Sequence, residues 1–371
     1  MGYNTPGIIT SWRCNTIVKG SIIWLNYNSA SFINVALKSL DSVLQIDYDD
    51  YELIVVDNGS TDGSFERIRE YVEKHKKSGI KIKFVRSCRN LGYAGGMNLG
   101  WEARSRDSKY VVFLNNDLIV EYDSLRKIID FMEGDEKLAA SNGLIFLGNE
   151  KRIFSAGGFG TELWEFGNIC WSLTVDECIG VDKPHYVTYA NGAYMVVKAN
   201  IIEKVCPRGK PFIDETFLYL DDHLLGLILW NKGYKIMYIP IRAGFHFEGL
   251  TTGRSLLKMY IISRNTTATT EIVNMRFSRI RHLYTLMHIL SYSFSAISKP
   301  YDNTKKYYYM IKGVVSGLRL SRLLSNIIGY LDITKAPYVP LSLKDLYYKV
   351  ITKFNSTFTV PITFDKLRYP P

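Results

Sequence analysis

The chain has 371 residues, 47% hydrophobic and 22% charged, a balance that excludes a largely disordered chain, a collagen and a disulfide-rich mini-protein. At about 100–200 residues per domain, this length holds two domains or one large one with an appendage. The net charge of +10 is unevenly spread, with 18 basic and 5 acidic side chains in residues 254–371 and a net of −3 before them, which points to an anionic partner for the last third.

The first 19 residues, MGYNTPGIITSWRCNTIVK, lack a signal peptide's apolar run and read as an N-terminal extension. Ser21–Asn28 reads as a buried strand with polar residues at its end. Ala30–Val43 has helical spacing, with Phe32, Val35, Ala36, Leu40 and Val43 on one side. Tyr51–Ser64 is a second strand running into a turn-rich loop, where Asp62 or Ser64 caps the helix Phe65–Lys77. Lys81–Ser87 alternates as a strand, glycine-rich Asn90–Gly100 opens a helix through Ala103, and Lys109–Asp117 is a further apolar strand. Strand–helix alternation with short links predicts an α/β fold, a mostly parallel sheet with helices on both faces. Ligands bind such sheets beyond the carboxyl ends of the strands, where Asn26–Asn28, Asp57–Ser60 and Asn115–Asp117 gather.

Beyond an irregular stretch at Ala139–Val187, Tyr189–Val197 reads as a strand with a bend at Asn191-Gly192. Phe212–Trp230 sets acids within an apolar helical run, and Lys232–Pro240 is another strand. From Ser255 the pattern is helical and basic, with breaks at Lys299-Pro300 and Ala336-Pro337. No apolar stretch reaches the length of a spanning helix, His282–Ile297 coming nearest. The five cysteines are scattered without a CxxC or Cys/His cluster. They suggest neither a disulfide framework nor a structural zinc, and favour a reduced, cytoplasmic setting.

Four segments in order, VVDNGSTDGS, NLGYAGGMNLG, FLNND and YLDDHLLGLILWNKGYKIMYIP, resemble a family 2 glycosyltransferase with the GT-A fold, in its rhamnosyltransferase-like subgroup. The resemblance spans Gly20–Arg254 and implies a catalytic domain there, followed by a helical basic region over 255–371. It implies inverting transfer of a hexose-type sugar from a UDP-, dTDP- or GDP-linked donor to a glycan, lipid-linked or protein-linked hydroxyl.

Each motif also has a physical reading. Asp57 at a strand end can accept hydrogen bonds from a base or ribose edge, although Asp-Asn-Gly-Ser is equally good turn chemistry; the resemblance assigns it to the nucleotide. Asn26, Tyr27 and Asn28 at the neighbouring strand end join it. Gly95, Gly96 and Asn98 lie where glycines would let a backbone approach a phosphate near a helix start. Asn115-Asn116-Asp117 occupies the place of the family's DxD motif, which makes Asp117 a ligand for Mg²⁺ or Mn²⁺ and leaves Asn115 and Asn116 to the donor. His246 would complete the metal shell or meet the diphosphate, Arg254 would neutralise it, and Asn191-Gly192 would line the same site.

Asp222, aligned on Gly233-Tyr234, takes the general-base position with Asp221 beside it, because an acceptor hydroxyl must lose a proton as it attacks. Leu224 and Ile228 replace an acid and an arginine of the family pattern, so a catalytically impaired sugar-nucleotide-binding module is one alternative. A nucleotidyltransferase is another, although LNYNSASF after the first strand lacks the basic loop such an enzyme needs. Nucleic acid is not expected as a partner, since the tail carries charge without a recognition signature. Met259–Ile297 and Tyr307–Tyr330 mix Lys and Arg with Tyr, Leu, Ile and Met, the pattern of a solvated helical face or of a surface lying on anionic lipid at the inner membrane face.

Overall fold

The computed structural model describes residues 19–76, 79–148, 150–163, 165–250, 255–277, 300–343, 345 and 361–370. The segment His282–Ile297 and Arg254 lie outside them. Parallel strands β1 (Gly20–Asn26), β2 (Tyr51–Asp57), β3 (Lys81–Arg86) and β4 (Tyr110–Asn115) stand in the order β3-β2-β1-β4. The sheet continues beyond β4 through strands of mixed direction. β5 (Leu118–Val120) pairs with the distant β12 (Lys235–His246), which runs parallel to β6 (Leu138–Leu147). β7 (Ile153–Ser155) edges β6, β10 (His185–Tyr186) edges β12, and β11 (Tyr194–Lys198) runs antiparallel between β4 and β6. A separate hairpin joins β8 (Gly158–Gly160) to β9 (Phe166–Asn168).

Both faces of the sheet are covered, so its central strands read as unbroken apolar runs. Leu53–Val56 and Ile23-Trp24 are wholly buried. Helices α1 (Ile33–Leu44) and α2 (Ser64–His75) meet the sheet through stripes at helical spacing, Phe65, Ile68 and Val72 in the second. Helix α3 (Gly92–Ala103) buries Ala94, Met97 and Trp101 at the same spacing and lies so close to β1 that a Cβ on Gly100 would stand 2.3 Å from the Ile23 side chain. α4 (Ser124–Glu133), α5 (Ala199–Val205) and α6 (Asp221–Asn231) complete the layers.

The sequence divides at residue 254, but the structure joins the two parts. Helices α7 (Leu256–Ile272) and α8 (Pro300–Ile328) run side by side in parallel, with Gly313 against Tyr260 and Gly317 against Arg264. Strand β13 (Val273–Asn274) pairs with β14 (Leu331–Asp332). The chain then returns to the sheet domain: Val339 N–H donates to Gly160 O (2.8 Å), and Cys170 N–H donates to Ile362 O (2.7 Å). Leu324, Ile333, Tyr338 and Phe364 are buried in the same core as Ile54 and Phe113. The described part of 255–371 thus covers apolar surface that the sheet domain would otherwise expose. A correction concerns the cysteines. Cys170 and Cys178 form a disulfide across a short loop, with Cα atoms 5.5 Å apart. The scattered spacing in sequence gave no sign of it, and the cysteines no longer argue for a reducing compartment.

Candidate active site

Strand register brings the polar ends together. Asn26 stands opposite Asp57, and Leu25 opposite Asn115, so the carboxyl ends of β1, β2 and β4 are level. β1 lies between β2 and β4, where connections leave to opposite sides, and a crevice opens there. A cleft of about 480 Å³ occupies it. Tyr27, Asn58, Asn115, Asn116 and Asp117 form one wall, and Phe217–Tyr219 with Leu257, Lys258 and Ile261 of α7 form the other.

His246 reaches this cleft from the end of β12. The pairing of Leu118 with His246 fixes its position, and its Nε2 lies 3.0 Å from Asp117 Oδ1. The Phe154 ring meets the imidazole edge-on at 4.4 Å. The buried Nδ1 has no hydrogen-bond partner among the described residues. A carboxylate and an imidazole, both lining an otherwise open cleft, form a donor pair that suits a divalent cation whose remaining positions go to phosphate oxygens and water. No group of three or more His, Cys, Asp or Glu suited to a metal occurs among the described residues.

Several residues expected to face the donor are instead engaged inside the protein. Asn26 donates to Asp57 Oδ1 (3.0 Å) and accepts from Ser29 Oγ (2.6 Å) and Asn116 Nδ2 (3.1 Å). Asp57 also accepts from Ser60 N–H (3.2 Å) and pairs with Arg86 at 3.1 Å. Both are wholly buried. They clasp the strand ends behind the cleft, since buried polar groups must find partners and these lie nearest. Asn28 accepts from Thr61 N–H (2.9 Å) in a left-handed conformation, φ 45°.

The glycine motif is likewise packing chemistry. Gly95 and Gly96 lie inside α3, and a Cβ on Gly96 would come 2.7 Å from the Leu25 side chain. The helix start is not open to an anion at Ala94, whose N–H donates to Phe217 O (3.2 Å). Asn98 donates to Phe212 O and to Asp214 Oδ1, both at 2.7 Å, and so pins the segment before α6. Asn191 donates to Asn168 Oδ1 (2.9 Å). Gly192 connects two site residues: its carbonyl accepts from Tyr93 Oη (2.7 Å), and its N–H donates to Asp222 Oδ2 (2.9 Å).

Asp221 and Asp222 open α6, where the helix macrodipole favours negative charge. The loop that delivers them is strained, with Phe217, Tyr219 and Leu220 at φ 67°, 66° and 66°. Asn265 of α7 restrains it, its amide donating at 2.9 Å to the carbonyls of Thr216, Leu218 and Tyr219. The two acids have opposite environments. Burial pushes Asp221 up to about 8, and the neighbouring Asp222 charge adds to this against the Thr216 hydroxyl bond and Arg264. Burial also opposes charge on Asp222, but His223 and the Gly192 N–H outweigh it and hold that carboxyl below its ordinary value.

Asn58, Tyr93, His223 and Asn265 were not singled out in the sequence. The first three sit within or beside the motifs, where a polar or aromatic neighbour was the available signal. Asn265 had none, because its role depends on a loop 46 to 49 positions away.

Residues 21–170 match the family model described as glycosyl transferase family 2. An uncharacterized glycosyltransferase of Haemophilus influenzae is 36% identical over 112 residues, 30% of this chain and 41% of that protein. The poly-beta-1,6-N-acetyl-D-glucosamine synthase of Staphylococcus aureus is 31% identical over 215 residues, 58% of this chain and 46% of that protein. The matches thus span less than half the length of these relatives. Among solved structures, GalNAc-T7 with UDP, GalNAc and Mn²⁺ aligns with a TM-score of 0.51 and 13% identity, over 69% of this chain and 51% of that one. The chain carries a family 2 glycosyltransferase domain, and its fold is GT-A.

Proposed function

We propose that the protein transfers a sugar from a nucleoside-diphosphate donor to a hydroxyl acceptor, with inversion at the anomeric carbon. The observation that carries this reading is the convergence of Asp117 and His246 on one side of the cleft with the Asp221-Asp222 turn approaching through Gly192 and Tyr93. Asn115 and Asn116 at the same strand end, with Tyr27, offer hydrogen bonds to the ribose and diphosphate, while Asn58 braces the Asn90–Gly92 turn behind them. The first turn of α6 supplies the acid–base function: Asp222 stays ionised, whereas Asp221 holds its proton at neutral pH. A single displacement needs no enzyme nucleophile, because the acceptor oxygen itself attacks.

Asp117 and His246 are the residues that would hold Mg²⁺ or Mn²⁺, which when bound would neutralise charge on the leaving diphosphate. The fold is one in which GalNAc-T7 was solved with UDP and Mn²⁺, and the relative named for polysaccharide synthesis agrees with a glycan acceptor. UDP with Mn²⁺ should raise the thermal stability of the protein by mass action. Asp117→Ala should lose most of the Mn²⁺-dependent part, and an equal shift in both proteins would refute the metal assignment.

A membrane surface accounts for the basic last third. No helix among the described residues is long and apolar enough to cross a bilayer. α8 instead exposes Tyr308, Ile311, Val315 and Leu318 together with Lys312, Arg319 and Arg322, apolar and cationic groups suited to an anionic interface. Its partner helix α7 supplies Lys258 and Ile261 to the cleft, so docking there would bring the site near lipid-linked acceptors. Binding to phosphatidylglycerol vesicles should weaken as salt rises; an absence of binding would leave α8 a purely structural element.

A further inference from the structure

His246 lacks the hydrogen bond that usually fixes a metal-binding imidazole. Such a histidine commonly gives its second ring nitrogen to a carboxylate or carbonyl, which sets the ring's orientation. Here Nε2 faces Asp117, and the buried Nδ1 has no partner among the described residues. Packing must orient the ring instead, and Phe154 meets it edge-on at 4.4 Å. Phe154 is buried and lines the cleft. It sits in the short strand β7, where alternation sends Ile153 into one core and Phe154 into the other. One edge of β7 pairs with β6. The other is held by the disulfide loop: Ser172 N–H donates to Ile153 O (2.8 Å) and Ile153 N–H donates to Leu173 O (2.7 Å). Arg152 Nη1 adds a bond to Ser172 O (2.6 Å).

The segment that grips β7 needs a restraint of its own. Cys170 and Ser172 have left-handed backbone, φ 59° and 64°, which non-glycine residues keep only where their surroundings impose it. The Cys170–Cys178 bond ties the start of this loop to its far end, and both cysteines are buried. Trp171, Val175 and Ile179 are exposed around them, so the loop's outer side is open to solvent. We infer that the Cys170–Cys178 bond tunes the metal affinity of the Asp117–His246 pair, acting through β7 and the Phe154 ring, a step that rests on the metal assignment proposed above. Phe154 is then a positioning residue. A dithiol that reduces the bond supplies two electrons; the two sulfurs become thiols with two protons, and the dithiol closes to its own disulfide. The loop keeps its main-chain bonds but loses its covalent tie, so its grip on Ile153 loosens and Phe154 gains freedom. The imidazole must then be ordered when the cation binds, which costs affinity. The coupling is reciprocal: what reduction takes from metal affinity, bound metal returns as resistance to reduction.

The test uses the full chain with UDP and Mn²⁺, free Mn²⁺ being read by electron paramagnetic resonance. Reduction by dithiothreitol should weaken Mn²⁺ binding to the UDP complex by about fivefold or more, while UDP affinity without Mn²⁺ stays unchanged. A Cys170→Ala/Cys178→Ala variant should match the reduced protein and ignore dithiothreitol, which controls for metal held by the dithiol itself. Phe154→Ala should weaken Mn²⁺ by about 10–100-fold. Gly100→Ala, destabilised elsewhere, should keep wild-type Mn²⁺ affinity, which separates positioning from loss of stability. The reciprocal measurement needs no variant: in dithiothreitol buffers of graded potential, UDP with Mn²⁺ should favour the disulfide by the same factor as reduction weakens Mn²⁺. Equal Mn²⁺ affinity in the oxidised and reduced protein, or a thiol–disulfide equilibrium indifferent to UDP and Mn²⁺, would overturn the inference. A wild type that binds UDP but no Mn²⁺ would overturn the metal assignment beneath it, a result distinguishable from a Mn²⁺ site that ignores the redox state.

Discussion

The cleft wall built by β1, β4 and β12 is held by main-chain register, whereas the facing wall, Phe217–Tyr219 and the start of α7, is held by side chains. In the first, Asp117 and His246 meet because strands pair, and neither needs a specific partner to reach its place. In the second, three residues in left-handed backbone conformation are restrained by the amide of one asparagine. Register is set by many hydrogen bonds together, so single substitutions shift it little. A strained loop held by a few bonds, those of Asn265 and Arg264 and the Ala94 N–H to Phe217 O, is vulnerable where one of them is lost, and the loop leads directly into the acids of α6.

The largest expected effect lies at the acids that open α6, just after the strained loop. Asp222→Asn should slow transfer by about 10²–10⁴-fold, since the amide can neither hold the charge nor take the acceptor's proton. UDP binding should persist, measured by thermal shift. Asp221→Asn should be much milder, because Asp221 is already neutral at pH 7 and an amide resembles its protonated form. If Asp221→Asn proves the more damaging in steady-state rates, the acid–base function belongs to the inner acid.

A pair of smaller effects separates the walls directly. Asn265→Ala should destabilise by about 1–3 kcal/mol, the cost of leaving buried carbonyls without a donor. It should also weaken nucleotide binding, because the released loop lines the cleft. Gly100→Ala should cost a similar amount, about 1–3 kcal/mol from overpacking against Ile23, yet leave nucleotide affinity near wild type. Urea denaturation with UDP titration would check both. Equal loss of affinity in the two variants would mean that the walls are not mechanically distinct.

The smallest effect is a pH slope. Asp221 has its carboxyl raised from 3.8 to about 8 in the folded protein. Between those values the native state binds a proton that the unfolded chain has released. The stability it contributes is therefore full below about pH 4 and falls as pH rises toward 8. Asp221→Asn should remove that part of the slope, so the variant should gain Tm relative to wild type between pH 5 and pH 8. Parallel Tm curves would show that Asp221 is ionised in the native state.

The strand and helix order up to β4, the parallel sheet and the polar character of its carboxyl edge were legible in the sequence; the acids were read inside a helical run over Phe212–Trp230, whereas the helix starts only at Asp221, after a strained loop. The legible parts follow from periodicity and turn chemistry, which act between residues near in sequence. The sequence also carried the resemblance that family and fold bear out, because the motifs are contiguous segments. Only the tertiary structure decided which polar residues face the cleft and which face one another. Asn26, Asp57 and Asn98 are as polar as Asn115 and Asp117, but a buried polar group takes the nearest partner, and nearness across strands depends on register and packing. The same reason hid the Cys170–Cys178 bond, the return of the last third onto the sheet domain, and the contact of His223 Nδ1 with Asp222. In each case the residue type was visible, and its partner was fixed by a distance in space that spacing along the chain does not encode.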